Sequence, residues 1–302
     1  MNVLTIAAQQ PQQVEAEETS ERTLVTSAED MQWLASELKS LTKHDGFTKV
    51  DAADVKKFKV LLTETLQLKD STKNSESSVA DLDDQWANLH WQVKRSPTES
   101  FFIIRELENH RHGRGVYAFR INAKNPIALQ APHRFSDLMT GTISVKLFSE
   151  HSISAIALNT VHRKEIDLSH TKLHYINAFT SAIIKAQHDI AIIQLHGFTN
   201  EGKTGAAQFA QAIISDTTKF PGRSARQTAL EFKTIFGQDH TRLFPVDVQQ
   251  LGGTTNRQAQ IAHNLGCPDF LHIELNHEFR LQLKRDASVR DSFFASILRG
   301  IA

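Results

Sequence analysis

Apolar residues recur along this chain at two different spacings. Between Ala28 and Leu68, Met31, Leu34, Leu38 and Leu41, and then Val55, Phe58, Leu61, Leu62 and Leu66, stand at helical intervals, as on the buried face of amphipathic helices. Asp51 occupies the N-cap position of the second of these helices. A further amphipathic helix carries Trp86, Leu89 and Trp91. Residues 1–28 show no periodicity and are rich in Gln and Glu, as in a flexible tail. Asp70 to Ser78 is a linker by composition.

From about Ser100 the pattern changes. Short runs rich in β-branched and apolar residues, at Phe101–Leu107, Val116–Ile121, Ile127–Gln130, Ile153–Leu158, Ile190–Leu195, Ala210–Ile214, Leu243–Val248 and Phe270–Leu275, read as strands. Helical patterns lie between several of them, at Thr142–Glu150, Thr171–Ala186, Ser224–Phe236, Thr255–Leu265 and Ala287–Ile301. Alternation of this kind predicts an α/β fold with a mostly parallel or mixed sheet and helices on both faces. The chain thus divides into a tail (1–28), a small helical segment (29–99) that packs as a brace, and an α/β unit (100–302).

Composition narrows the functional classes. Hydrophobic residues make up 40% and charged residues 23% of the 302, and no apolar run reaches the roughly 20 residues of a membrane-spanning helix. Lys plus Arg and Asp plus Glu are balanced at 34 each, so the overall field gives no reason to expect a nucleic-acid partner. The single cysteine, Cys267, excludes an intrachain disulfide and a cysteine-based zinc cluster, and reads as structural. Fifteen histidines favour a metal site without locating one. The N-terminus lacks the basic residues and the full apolar stretch of a secretion signal, which leaves the compartment open, including export of a processed form.

In parallel sheets ligands bind beyond the carboxyl ends of the strands. There the chain carries Ala131-Pro-His-Arg-Phe-Ser-Asp137 after one strand and His196-Gly197 after another. Asp137 lies four residues beyond His133, on the same side of a turn. Two imidazoles and one carboxylate form a ligand set for zinc with an open fourth position. Glu274, near the end of the last strand, is placed to take a proton from a metal-activated water. In Val161-His-Arg-Lys-Glu-Ile-Asp-Leu-Ser-His170, Arg163 suits a substrate carboxylate or an oxyanion. Asp167 suits the orientation of a ligand histidine, and His170 a further ligand or proton carrier. A loop with helix-capping residues accounts for the same segment.

Taken in order, Ala131 to Asp137, Arg163 to His170, Gln194-Leu-His-Gly-Phe198 and His272-Ile-Glu-Leu-Asn-His-Glu-Phe-Arg280 resemble the motifs of zinc carboxypeptidases and their N-formylglutamate amidohydrolase and poly-γ-glutamate hydrolase relatives. The resemblance spans roughly Glu106 to Arg280. It implies zinc held by His133, Asp137 and His196, Glu274 as general base, and Arg163 near a substrate-binding arginine. It also implies hydrolysis of an amide bond near a carboxylate, in a small molecule or peptide that Arg163 or Arg280 engages. The metal-binding pair departs from the carboxypeptidase pattern, with three intervening residues instead of two and Asp in place of Glu. This bears on peptidase specificity more than on metal binding.

A competing motif overlaps the second histidine. Gly197-Phe-Thr-Asn-Glu-Gly-Lys-Thr204 fits the phosphate-loop pattern, which requires a helix to begin near Lys203. A nucleotide-binding protein, or a non-catalytic binding module on the same fold, is therefore the alternative. Leu251-Gly-Gly-Thr-Thr-Asn-Arg257 is expected to shape the pocket, with Asn256 or Arg257 touching substrate. His110-Arg-His-Gly-Arg-Gly115 reads as a basic turn between two strands.

Overall fold

The protein is described by a computed structural model over residues 25–41, 46–69 and 76–302. Residues 1–24, most of the expected tail, residues 42–45, and 70–75, the start of the expected linker, lie outside the described residues. The last residues of the expected tail are packed. Thr26 is buried, its amide donates to Ser149 O, and its hydroxyl accepts from Arg120 Nη2.

The helices α1 (Ala28–Ser40), α2 (Ala52–Lys69) and α3 (Glu76–Asn88) come first. Asp51 caps α2, its Oδ1 accepting from the amides of Ala53 and Asp54 at 2.7 and 3.2 Å. Trp91, expected on a helix with Trp86 and Leu89, instead opens β1 (Trp91–Arg95). His90, at φ 63°, takes the left-handed conformation that stops a helix and redirects the chain. The two tryptophans still share a core, because Phe58 of α2 lies 5.2 Å from Trp86 and 4.7 Å from Trp91.

Then follow β2 (Phe101–Glu106), β3 (Val116–Arg120), β4 (Asn125–Ala131), α4 (Thr140–Glu150), β5 (Ile153–Leu158), α5 (Tyr175–Ala186) and β6 (Ala191–Phe198). The remainder is β7 (Ala212–Ser215), α6 (Arg223–Phe236), β8 (Thr241–Leu243), α7 (Arg257–Asn264), β9 (Asp269–Asn276), α8 (His277–Arg285) and α9 (Ala287–Ile301). The strand expected over Leu243–Val248 is β8 instead. It stops before Pro245, which has no N–H to offer a ladder.

The strands form one nine-stranded mixed sheet in the order β1-β2-β3-β5-β4-β6-β9-β7-β8. Its centre, β5-β4-β6-β9, is parallel; β1, β2 and β3 continue from β5 antiparallel, and β7 pairs antiparallel with β9.

Side chains alternate between the two faces. Ile127, Leu129, Ile193, Leu195, Leu271 and Ile273 join an apolar layer with α1, α4, α6, α8 and α9. Ala128, Ile192 and Phe270 point the other way, into a layer with α2, α3, α5 and α7. Toward the carboxyl ends this second face turns polar. Gln130 follows Ala128, Gln194 and His196 follow Ile192, and His272 and Glu274 follow Phe270, all of them buried. Register sets Gln130 beside Gln194, Gln194 beside His272, and His196 beside Glu274.

Candidate metal centre

His133 comes two residues after β4, where the chain makes a tight turn before α4. The amide of Asp137 donates to His133 O at 2.7 Å, which brings both side chains to the same side of the turn. His196 reaches them from the neighbouring strand β6. One ligand atom from each of His133, Asp137 and His196 lies within 4.8 Å of the others, and all three residues are buried. His196 Nδ1 is 3.2 Å and His133 Nδ1 is 3.7 Å from Asp137 Oδ2.

The hydrogen bonds on the far sides of the two rings fix which atoms face inward. His133 Nε2–H donates to Asp167 Oδ1 at 3.0 Å, and His196 Nε2–H to Gln194 Oε1 at 2.8 Å. In a neutral imidazole the other nitrogen then carries a lone pair. Burial pushes the His196 imidazole down to about 4, with the neighbouring His272 adding to the effect, so near neutral pH it is uncharged. His196 Nδ1 is also within hydrogen-bonding distance of Asp137 Oδ2, so three potential ligand atoms from His133, His196 and Asp137 converge. His133 Nδ1 is buried with no hydrogen-bond partner. Burial by itself would raise the Asp137 carboxyl, but the two facing imidazoles hold it well below the usual carboxylate range. Two imidazole nitrogens and a carboxylate oxygen arranged in this way fit a cation once the ring nitrogens give up their protons, and an N2O donor set suits zinc.

Supporting groups surround the cluster. Asp167 accepts from Arg163 Nε and Nη2 at 3.0 and 2.9 Å, from the Ser169 amide at 3.2 Å, and approaches His170 Nδ1 at 3.1 Å. Burial opposes ionisation of Asp167, yet His133, His170 and Arg163 bring its carboxyl down to about 2. Gln194 also accepts from Asn256 Nδ2 and donates to Gln130 Oε1 and Gln258 Oε1, so a buried amide network holds the far side of His196. Such outer contacts orient ligands and fix their tautomers.

A cleft of about 320 Å³ opens onto the cluster, and its walls include His133, Arg163, His170, His196, Asn256 and Glu274. Glu274 Oε2 is buried there without a partner. The fold thus assembles His133, Asp137, His196, Asp167, Arg163, His170, Asn256 and Glu274. His170 Nε2 also meets Thr255 Oγ1 at 2.8 Å, and Asn256 caps α7 by accepting from Ala259 N. Two expected residues sit apart from the cleft wall. Arg257 reaches along α7 to Gln260 at 2.6 Å. Arg280 is buried against Gly197, donating to Phe198 O at 3.2 Å and to Leu275 O.

The structure does not supply what the phosphate-loop motif requires. Gly197 lies inside β6, and no α-helix begins at Lys203: Gly205–Phe209 forms a single short 3-10 segment that leads into β7. There are no successive amides of an α-helix start to receive phosphates, and the nucleotide-binding alternative loses its basis. Neither His272 nor Ser169 carries a role that residue order alone assigns. His272 lies two residues before Glu274, a spacing that puts both on one face of a strand. Ser169 Oγ is buried without a partner in the cleft wall.

Fold and centre together define an α/β protein with a candidate His-Asp-His metal site at the carboxyl edge of a mixed sheet. No family model matches the chain, and no curated protein does. Among solved structures it is similar to N-formylglutamate amidohydrolase from Ralstonia eutropha JMP134, at 10% identity and a TM-score of 0.42, over 63% of this chain and 96% of that one. It is similar to zinc-free YndL at 16% identity and a TM-score of 0.41, over 61% and 89%. For the tripeptide-bound cell shape determinant Csd4 from Helicobacter pylori the values are 13% and 0.36, over 58% and 52%.

Proposed function

We propose that this protein is a zinc-dependent hydrolase of amide bonds that lie near a carboxylate. The observation that carries the reading is the convergence of ligand atoms of His133, His196 and Asp137, all buried, beside a cleft lined by Glu274, whose Oε2 is buried without a partner. His133, Asp137 and His196 hold the ion. When bound, zinc supplies the Lewis acidity that activates water and polarises a carbonyl.

The chain's own groups then divide the work. Glu274 Oε2 takes a proton from the attacking water and returns it to the departing nitrogen. Arg163 is anchored through Nε and Nη2 to Asp167 and forms part of the cleft wall. It offers its remaining N–H donors to a substrate carboxylate, a bidentate pairing that suits the guanidinium fork. Asp167 therefore supports both His133 and Arg163, so ligand geometry and substrate placement share one anchor.

The test is hydrolysis of N-formyl-L-glutamate, a γ-linked glutamate oligomer and short peptides with a free carboxyl terminus. Activity on at least one of them is expected to vanish on chelation and to return with zinc. Glu274→Gln is expected to lower kcat by about 10²- to 10⁴-fold. Hydrolysis that survives complete metal removal contradicts the reading.

A further inference from the structure

A carboxylate turns easily about its last torsion, so a general base at a strand end needs something to fix one of its oxygens. The parallel pairing of β6 and β9 sets His196 beside Glu274 and Gln194 beside His272. On β9 itself, His272 Nε2 lies 3.1 Å from Glu274 Oε1. The second carboxylate oxygen, Oε2, is buried and has no partner. We propose that His272 is a positioning residue for Glu274, holding Oε1 so that Oε2 is left as the unengaged oxygen that can take a proton. The proposal rests on the hydrolase reading above, in which Glu274 is the base.

The surroundings of His272 fit this task better than simple filling of space. Its ring lies against His196, with centroids 4.4 Å apart and planes inclined by 33°. The turn at Gly253 also approaches it closely: a Cβ at Gly253 would lie 2.9 Å from His272 Nδ1, and Gly253 itself sits at φ +62°. The ring thus touches both His196 and a turn that tolerates no side chain. An apolar residue would fill this slot without leaving a buried nitrogen unpaired, yet His272 Nδ1 is buried with no partner. The polar ring is explained by its Nε2–H bond to Glu274. Because that bond uses Nε2–H, the neutral ring is the Nε2–H tautomer.

Ring nitrogen NMR of ¹⁵N-histidine-labelled full-length protein, with and without zinc, reads the bond directly. We expect His272 as the Nε2–H tautomer, with its Nε2 resonance displaced in Glu274→Gln. An Nδ1–H tautomer overturns the proposal whatever the activity. In parallel, His272→Leu is expected to keep zinc stoichiometry and KM while losing about 10- to 100-fold in kcat. His272→Gln, whose amide N–H can replace the donor, is expected to recover most of that loss. A zinc-loaded His272→Leu protein with wild-type kcat refutes the positioning role and leaves the hydrolase reading intact. A zinc-loaded wild type that hydrolyses none of the substrates refutes the hydrolase reading, and the ring tautomer then decides whether His272 holds Glu274.

Discussion

Asp167 is the residue on which most of the site's contacts meet, although it touches no reacting group. Removing its charge while keeping its shape isolates that role. Asp167→Asn is expected to weaken zinc binding by about 10- to 100-fold, measured by competition with a chromogenic chelator, and to loosen Arg163 as well. Unchanged zinc affinity would show that His133 needs no such anchor. The pH response of the metal-free protein follows from two buried neutral histidines. Burial takes His196 to about 4 and His174 to about 3, both below their ordinary value of 6.5. The unfolded chain then binds more protons than the folded one, so stability rises with pH. Their contribution is complete above 6.5 and is lost as pH falls toward 4 and 3. Thermal unfolding of metal-free protein is expected to show Tm dropping through that window, and a flat profile contradicts it.

Individual elements also show how much could be read from residue order. His133 and Asp137 were legible because a spacing of four within one turn needs no tertiary information, and His196 and Glu274 because each stands near the end of an apolar run. His272 was visible in the same strand, but its value depends on the register of β9 against β6 and on the turn at Gly253, which residue order does not carry. Arg257 and Arg280 show the opposite limit. Each lies close to the site in sequence, yet one side chain runs along its helix and the other is drawn to backbone carbonyls. Trp91 followed a helical stripe until a left-handed residue, His90, turned the chain, and no glycine or proline marked the change. Two substitutions test these elements. Gly253→Ala is expected to destabilise by about 1–2 kcal/mol through its left-handed backbone alone, with further loss from contact with His272. Phe58→Ala, which empties the space between Trp86 and Trp91, is expected to cost about 3–5 kcal/mol. Denaturant unfolding reads both, and values near zero would mean that these contacts do not hold the elements together.

Across the whole molecule, the parallel centre of the sheet carries the site and the antiparallel flanks extend it. The helical front of the chain covers both faces: α1 packs with the layer of α4, α6, α8 and α9, while α2 and α3 close the layer that ends in the cleft. Among the described residues no helix is long and apolar enough to cross a membrane. What builds the candidate site is the change in one face of the sheet from Ala128, Ile192 and Phe270 to Gln130, His196 and Glu274 within a few residues. If that change exists to hold a metal, the ion's stoichiometry is the most direct measure of it. Elemental analysis after zinc loading and exhaustive dialysis, on wild type beside His133→Ala and His196→Ala, is expected to find about one zinc per wild-type chain and close to none in either variant. Folded wild-type protein that retains no zinc, or variants that retain as much as wild type, would contradict the account.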